Sequence, residues 1–367
     1  MIAPSPVPRP ALCAALPEAH GGPDHAELAR LGLRPEDVLD FSVSTNAYGP
    51  PPAVATAMAA ADITRYPDRS ATALRQALAD RMDVFPEQVL VGNGAAELIW
   101  LIALAYLRPG DAAFVIGPTF GEYRAASQRM GAQVNEWRAV EDDDFAIHEE
   151  AVATALRHVR PRVVWLCNPN NPTGAYLEPQ AWARLRAAAP DALWAIDEAY
   201  RPFLDDPWPG PFPVDEGVVL LRSLTKDCAL AGLRLGYALS AASTIQALAA
   251  AQPPWSVNNV AQAAGVAAVS DPAYIARTTG ELRAQALALG HALRQRGWRV
   301  IPSATHFMLI EVGDAASLRA RLLREHHIQV RDCTSFGLPH YIRVAARRPA
   351  ENERLVTALG EALAQKS

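Results

Sequence analysis

Five apolar runs recur along the first two thirds of the chain, and each ends in a cluster of polar or glycine residues. They read "QVLVGNG", "AAFVIG", "RVVWLCNPNNPTG", "ALWAIDEAY" and "GVVLLRSLTK". Stretches with helical spacing follow them, such as "AAELIWLIALAYL", "FGEYRAASQRMG" and "EPQAWARLRAAAP". Strands apolar on both faces, alternating with helices, belong to a mainly parallel sheet covered by helices on both sides. The expectation is therefore an α/β fold.

The pattern changes after about residue 245, where Ala-rich helices take over. "RVIPSATHFMLIEV", "AASLRARLLREH", "IQVRDC", "YIRVAA" and a closing helix follow, the signature of a smaller α+β domain. The expected division is an N-terminal arm over 1–40, a large ligand-binding domain over 41–250 and a small C-terminal domain over 251–367. The arm carries one short helix in "DHAELARLG". At 367 residues the chain exceeds a single comfortable core, which agrees with two domains.

Charge and composition narrow the function class. A net charge of −5 without a Lys/Arg run argues against a nucleic-acid or membrane-surface partner. Cys13, Cys167, Cys228 and Cys333 are scattered, with no pair at metal-ligand spacing, and read as reduced thiols; no metal is expected. The first 22 residues, "MIAPSPVPRPALCAALPEAHGG", hold no long apolar stretch. A soluble cytoplasmic protein is expected.

In an open parallel sheet, ligands bind beyond the carboxyl ends of the strands. Four polar clusters fall there: "GNGAAE" at 92–97, "CNPNNPTG" at 167–174, "IDEAY" at 196–200 and "SLTK" at 223–226. The N–H groups of Ala95 and Ala96 at a helix start suit an anion, though a plain strand–helix turn has the same letters. Asp197 suits a protonated ring nitrogen or, equally plainly, a helix N-cap. Asn171 suits a ring oxygen or an Asx turn. Lys226 is a desolvated nucleophilic amine or a snorkelling side chain. Ser223, Thr225 and Arg234 supply donors for a phosphate. Amine, ring-nitrogen carboxylate, ring-oxygen amide and phosphate cup together are the parts that bind pyridoxal 5′-phosphate.

"NNPTG", "DEAY", "SLTK" and "GLRLGY" resemble, in order and rough spacing, the motifs of the fold-type-I pyridoxal-phosphate enzymes, class I/II aminotransferases. The resemblance runs from about residue 40 onward. It implies a seven-stranded, mainly parallel sheet between helices, with Lys226 as the cofactor-bonding lysine. It also implies Asp197 on the pyridinium nitrogen, Asn171 and Tyr200 on the ring oxygen, and Ser223, Arg234, Ala95 and Ala96 on the phosphate. Phe120, or else Tyr123, would stack on the ring. Tyr66 would reach the phosphate of a neighbouring subunit, implying a homodimer with shared sites. Arg343 would grip a substrate carboxylate.

The nearest branch resembled is that of the histidinol-phosphate aminotransferases and threonine-phosphate decarboxylases, in which Arg331 would hold the distal group of the substrate. An aminotransferase acting on an amino acid or amino-alcohol phosphate and a 2-oxo acid is expected, with the decarboxylase as the alternative. Thr305-His306 departs from the branch pattern, which more often has asparagine before the phenylalanine. His20-Gly21-Gly22 reads as an arm turn or part of a lid.

Overall fold

A computed structural model describes residues 7–13, 21–205, 207 and 215–364. His20 lies outside the described residues. The described residues include twelve strands: β1 (Leu39–Asp40), β2 (Val89–Gly92), β3 (Ala112–Gly117), β4 (Gln133–Arg138), β5 (Val163–Cys167) and β6 (Leu193–Asp197), then β7 (Val218–Ser223), β8 (Gly236–Leu239), β9 (Phe307–Glu311), β10 (Ile328–Gln329), β11 (Arg331–Asp332) and β12 (Tyr341–Ala345).

Seven strands form one sheet in the order β2-β8-β7-β6-β5-β3-β4. All neighbouring pairs from β7 to β4 run parallel, and β8 is antiparallel to both β2 and β7. Every residue of β5 and β6 is buried, as their "VVWLC" and "LWAID" runs require. Successive side chains point to opposite faces, so Trp194 packs into one core with Leu166, Leu220 and Leu74. Trp165 packs into the other with Ile99, Tyr123 and Leu221. Strand β4 was not expected from the apolar pattern. It is the sheet edge, "QVNEWR", and no residue in it is fully buried.

A second unit holds the three-stranded antiparallel sheet β11-β12-β9 and the helices Ala315–His326 and Pro349–Ala364. Its core contains Phe41 beside Ile310, Ile342 and Leu355. Strand β1, just ahead of Phe41, pairs in parallel with β10 of the same unit. The chain therefore touches the small unit first and enters the large one afterwards. The large core in turn runs past residue 250. Helix Asn259–Val269 buries Ala261, Ala264 and Ala268 against the helices Ala53–Ala60 and Thr72–Met82. The 24-residue helix Pro272–Gln295 then spans the units, with Ile275 in the large core and Leu289 and Leu293 in the small one. No helix among the described residues is long and apolar enough to cross a membrane.

Phe41 is fully buried, so Phe41→Ala removes the anchor that ties the early chain to the small core. The expected cost is about 3 kcal/mol, read as a lowered urea midpoint in equilibrium unfolding.

Candidate active site

The carboxyl ends of β5, β6 and β7 open onto a cavity of about 320 Å³. Thirteen of the candidate ligand-binding residues line it: Ala95, Ala96, Phe120, Tyr123, Asn171, Asp197, Tyr200, Ser223, Thr225, Lys226, Arg234, Arg331 and Arg343. Tyr66 does not. It is largely exposed and stacks on Trp255 with ring centroids 4.5 Å apart.

Asp197 ends β6 and is buried. One carboxylate oxygen accepts from the Ala199 N–H at 2.9 Å and the other from the Tyr123 hydroxyl at 2.8 Å. The Ala199 contact is an Asx turn and not the helix N-cap the sequence also allowed, since Tyr200 is the N-cap of the short helix that follows. Burial raises the Asp197 pKa; the Ala199 and Tyr123 hydrogen bonds and the Lys226 charge work against that shift. A cationic ring N–H placed beside Asp197 would favour the carboxylate further. Tyr123 stacks on Trp165 at 5.3 Å and interplanar 10°, which fixes its hydroxyl on Asp197. That role was not foreseen: its ring is spent on Trp165, and Phe120 remains as the aromatic wall, edge-on to Tyr123 at 5.7 Å.

Lys226 follows β7 and is half-buried, with Nζ 5.6 Å from the centre of the Tyr200 ring. The Asn46 backbone donates to the Lys226 carbonyl at 2.8 Å, and its side-chain amide donates to the Asp227 carbonyl at 2.9 Å. Asn46 thereby pins the turn that carries the lysine.

The phosphate-sized end of the cavity is built from glycine. Gly94 opens the helix Gly94–Tyr106 at φ +79°, and a Cβ there would lie 2.8 Å from a guanidinium nitrogen of Arg234. A Cβ on Gly236 would meet the Ala95 backbone nitrogen at 2.7 Å. Bare backbone thus lets Arg234 close over the free N–H groups at the helix start. Ser223 and Thr225 complete that end, their hydroxyls 2.7 Å apart. Arg234 itself adopts the left-handed region, φ +56°.

The opposite wall comes from the small unit. Arg343 on β12 donates to the Asn171 side-chain oxygen and, at 2.7 Å, to the Ser42 carbonyl. Arg331 stands directly across from it in the β11–β12 register. Its guanidinium donates to the Ser335 hydroxyl at 2.6 Å and lies 5.2 Å from the Phe336 ring centre. Burial and the Arg343 charge lower the Arg331 pKa, the mark of two cations held close. Ser42, Thr45, Ser335 and Phe336 were missed from the sequence, having no motif of their own. Gly21 also lines the cavity, and the Gly22 N–H donates to the Ser42 hydroxyl at 2.9 Å.

A lysine amine, a buried carboxylate and a helix-start anion cup around one cavity fit pyridoxal phosphate, and on this sheet they define a pyridoxal-phosphate enzyme of fold type I. Residues 36–359 match the family described as aminotransferase class I and II, and the chain belongs to that family. It is a pyridoxal-phosphate-dependent aminotransferase. It is 36% identical over 354 residues to a histidinol-phosphate aminotransferase of Symbiobacterium thermophilum, covering 95% of this chain and 96% of the relative.

Two solved structures align over most of their length. The histidinol-phosphate aminotransferase of Sinorhizobium meliloti, solved with pyridoxal 5′-phosphate, is 24% identical with a TM-score of 0.88, and each chain is covered in full. The L-threonine-O-3-phosphate decarboxylase of Porphyromonas gingivalis is 28% identical with a TM-score of 0.79, covering 89% of this chain and all of that one.

Gly94→Ala forces Arg234 away from the helix start and strains the left-handed position. Pyridoxal-phosphate titration followed by absorbance is expected to show Kd raised at least about tenfold, roughly 1.4 kcal/mol.

Proposed function

We propose that this enzyme moves an amino group between an amino-alcohol phosphate of the histidinol-phosphate type, or an amino acid, and a 2-oxo acid. The observation that carries the reading is the Arg331–Arg343 pair on one wall of the cavity, two buried cations facing the lysine. The relatives named above support it. Planar guanidinium groups bind carboxylate and phosphate in bidentate fashion, so the pair suits either the phosphate dianion of an amino-alcohol phosphate or the carboxylate of an amino or oxo acid.

When bound, pyridoxal phosphate supplies an electron-poor ring that stabilises negative charge on the substrate carbon bearing the amine. Asp197 keeps the ring nitrogen protonated, and Tyr123 orients Asp197. Arg234, Ser223 and the Ala95 and Ala96 N–H groups hold the phosphate. Asn171 and Tyr200 hold the ring oxygen, and Phe120 covers a ring face. Lys226 Nζ would hold the cofactor, and its amine is the general base placed to take a proton from the substrate Cα. Arg343 would fix the carboxylate of an amino or oxo acid, and Arg331 the phosphate of an amino-alcohol phosphate.

The decarboxylase at 28% identity keeps a second reading in view, in which Cα–CO₂⁻ rather than Cα–H is broken. Lys226→Ala is expected to lose the visible absorbance band of the wild-type holoenzyme. Histidinol phosphate with 2-oxoglutarate should yield glutamate, and threonine phosphate should release no CO₂. The reverse result would replace the aminotransferase reading with the decarboxylase. Arg331→Ala should raise KM at least about tenfold for the phosphorylated amine and leave KM for alanine within about threefold.

Ile63, Tyr66 and Trp255 are large apolar side chains in the open, with Tyr66 79% exposed. They support a homodimer in which Tyr66 reaches the neighbouring phosphate. Sedimentation equilibrium should give twice the 39.5 kDa chain mass. Mixing inactive Tyr66→Ala and Lys226→Ala proteins should restore activity at one site per dimer; a strictly monomeric, active enzyme would overturn the shared site.

A further inference from the structure

Four rings fill the space between the large and small units. Tyr200 and Phe203 come from the turn after β6, and His306 and Phe307 from the start of β9. His306 is fully buried. Its ring stacks on Phe203 with centroids 3.7 Å apart and planes at 24°. It lies 6.3 Å from the Tyr200 ring and 5.8 Å from the Phe307 ring. Tyr200 and Phe307 meet edge to face at 4.8 Å.

Each of those two rings carries a cation of the active site. Lys226 Nζ lies 5.6 Å from the Tyr200 centroid, and the Arg343 guanidinium lies 5.2 Å from the Phe307 centroid. Arg343 is held by the Phe307 face together with the Asn171 and Ser42 oxygens, and the Tyr200 face is a contact of Lys226. His306 stands beside both rings.

The chemistry of His306 indicates which part of it matters. Its ring nitrogens make no close hydrogen bond, a backbone group of Ser44 being the polar neighbour near them. A buried donor without a partner costs about 1–3 kcal/mol, a cost that an apolar side chain would avoid. The position therefore uses the flat ring and not its nitrogens. The charged and titratable groups facing it are Lys226, Arg343 and the Tyr200 phenol. Burial first, then the Lys226 and Arg343 charges, push its pKa down to about 3, offset only weakly by the Ser44 backbone. The ring is thus neutral at working pH and adds no third positive charge beside the two cations.

We propose that His306 is a positioning residue: its ring braces Tyr200 and Phe307, and through them sets Lys226 for the cofactor and Arg343 for the substrate carboxylate. The proposal rests on the roles assigned above to Lys226 and Arg343. It makes one buried side chain answerable for two constants that separate contacts would otherwise set independently.

The test compares wild-type holoenzyme with His306→Leu and His306→Phe, using thermal unfolding to confirm that each variant is folded. His306→Leu keeps apolar bulk and removes the flat face. Its pyridoxal-phosphate Kd and its KM for the amino substrate are each expected to rise about tenfold, with kcat falling by less than about threefold. His306→Phe restores the plate and should bring both constants back to within about threefold of wild type. Should His306→Leu not fold, Phe203→Leu removes the same stack from its other side and is expected to move both constants the same way.

A folded leucine variant with both constants within about twofold of wild type overturns the proposal. So does one in which only a single constant moves, or a phenylalanine variant no better than leucine. A wild-type protein that binds no pyridoxal phosphate overturns the cofactor reading itself. Wild-type binding with unmoved variants removes only the role of His306.

Discussion

The cavity is a pocket of positive charge in an acidic protein. Lys226, Arg234, Arg331 and Arg343 line it against a single carboxylate, Asp197, while the whole chain carries a net charge of −5. Arg331 and Arg343 are both buried, and a buried cation without compensation costs several kcal/mol. The protein offsets part of that cost with ring faces, the Asn171 and Ser42 oxygens and the Ser335 hydroxyl. A phosphate at Arg234, a carboxylate at Arg343 and a second anion at Arg331 would neutralise the wall one group at a time. The same surplus draws anionic substrates toward the cavity.

The sheet makes this concentration of charge possible. Parallel strands deliver Cys167, Asp197 and Ser223 to the same edge, so the Asn171, Tyr200 and Lys226 turns start side by side. None of these turns is adjacent to another in sequence. The fourth wall comes from the antiparallel pair β11–β12 in the other unit. Helix Pro272–Gln295 has residues in both cores, and the ring cluster around His306 fills the space between them. The residues proposed for the cofactor thus lie on the large unit and the two buried arginines on the small one, with packed aromatic side chains where the two meet.

Much of this was legible in the chain because burial writes itself into composition. Strands β5 and β6 are buried on both faces and read as unbroken apolar runs. Strand β4 escaped notice because an edge strand carrying Glu136 and Arg138 lacks that signature. The division at residue 250 followed the Ala-rich texture, yet alanine at 261, 264 and 268 is what lets a helix lie close against the large core. Motif residues were found because turn chemistry is local. Tyr123 on Asp197 was not, since that contact spans 74 positions and depends on how Trp165 orients the ring. The packing of Phe41 is hidden in the same way: its partners Ile310, Ile342 and Leu355 lie far along the chain.

The pairing of Arg331 with Arg343 is the arrangement that bears most on substrate choice. Like charges directly opposite on neighbouring strands oppose each other, and both are buried, so water screens them poorly. Under the proposed roles, an amino acid whose carboxylate met Arg343 would leave the repulsion between the two cations only partly relieved. A substrate with a second anion removes that penalty as well as adding its own contacts. Discrimination then arises from a charge that poor substrates fail to match, which separates substrates by larger factors than the fit of apolar groups allows. The hydroxyl of Ser335 and the face of Phe336 hold the Arg331 guanidinium in one attitude, so the position of the second anion is selected along with its charge.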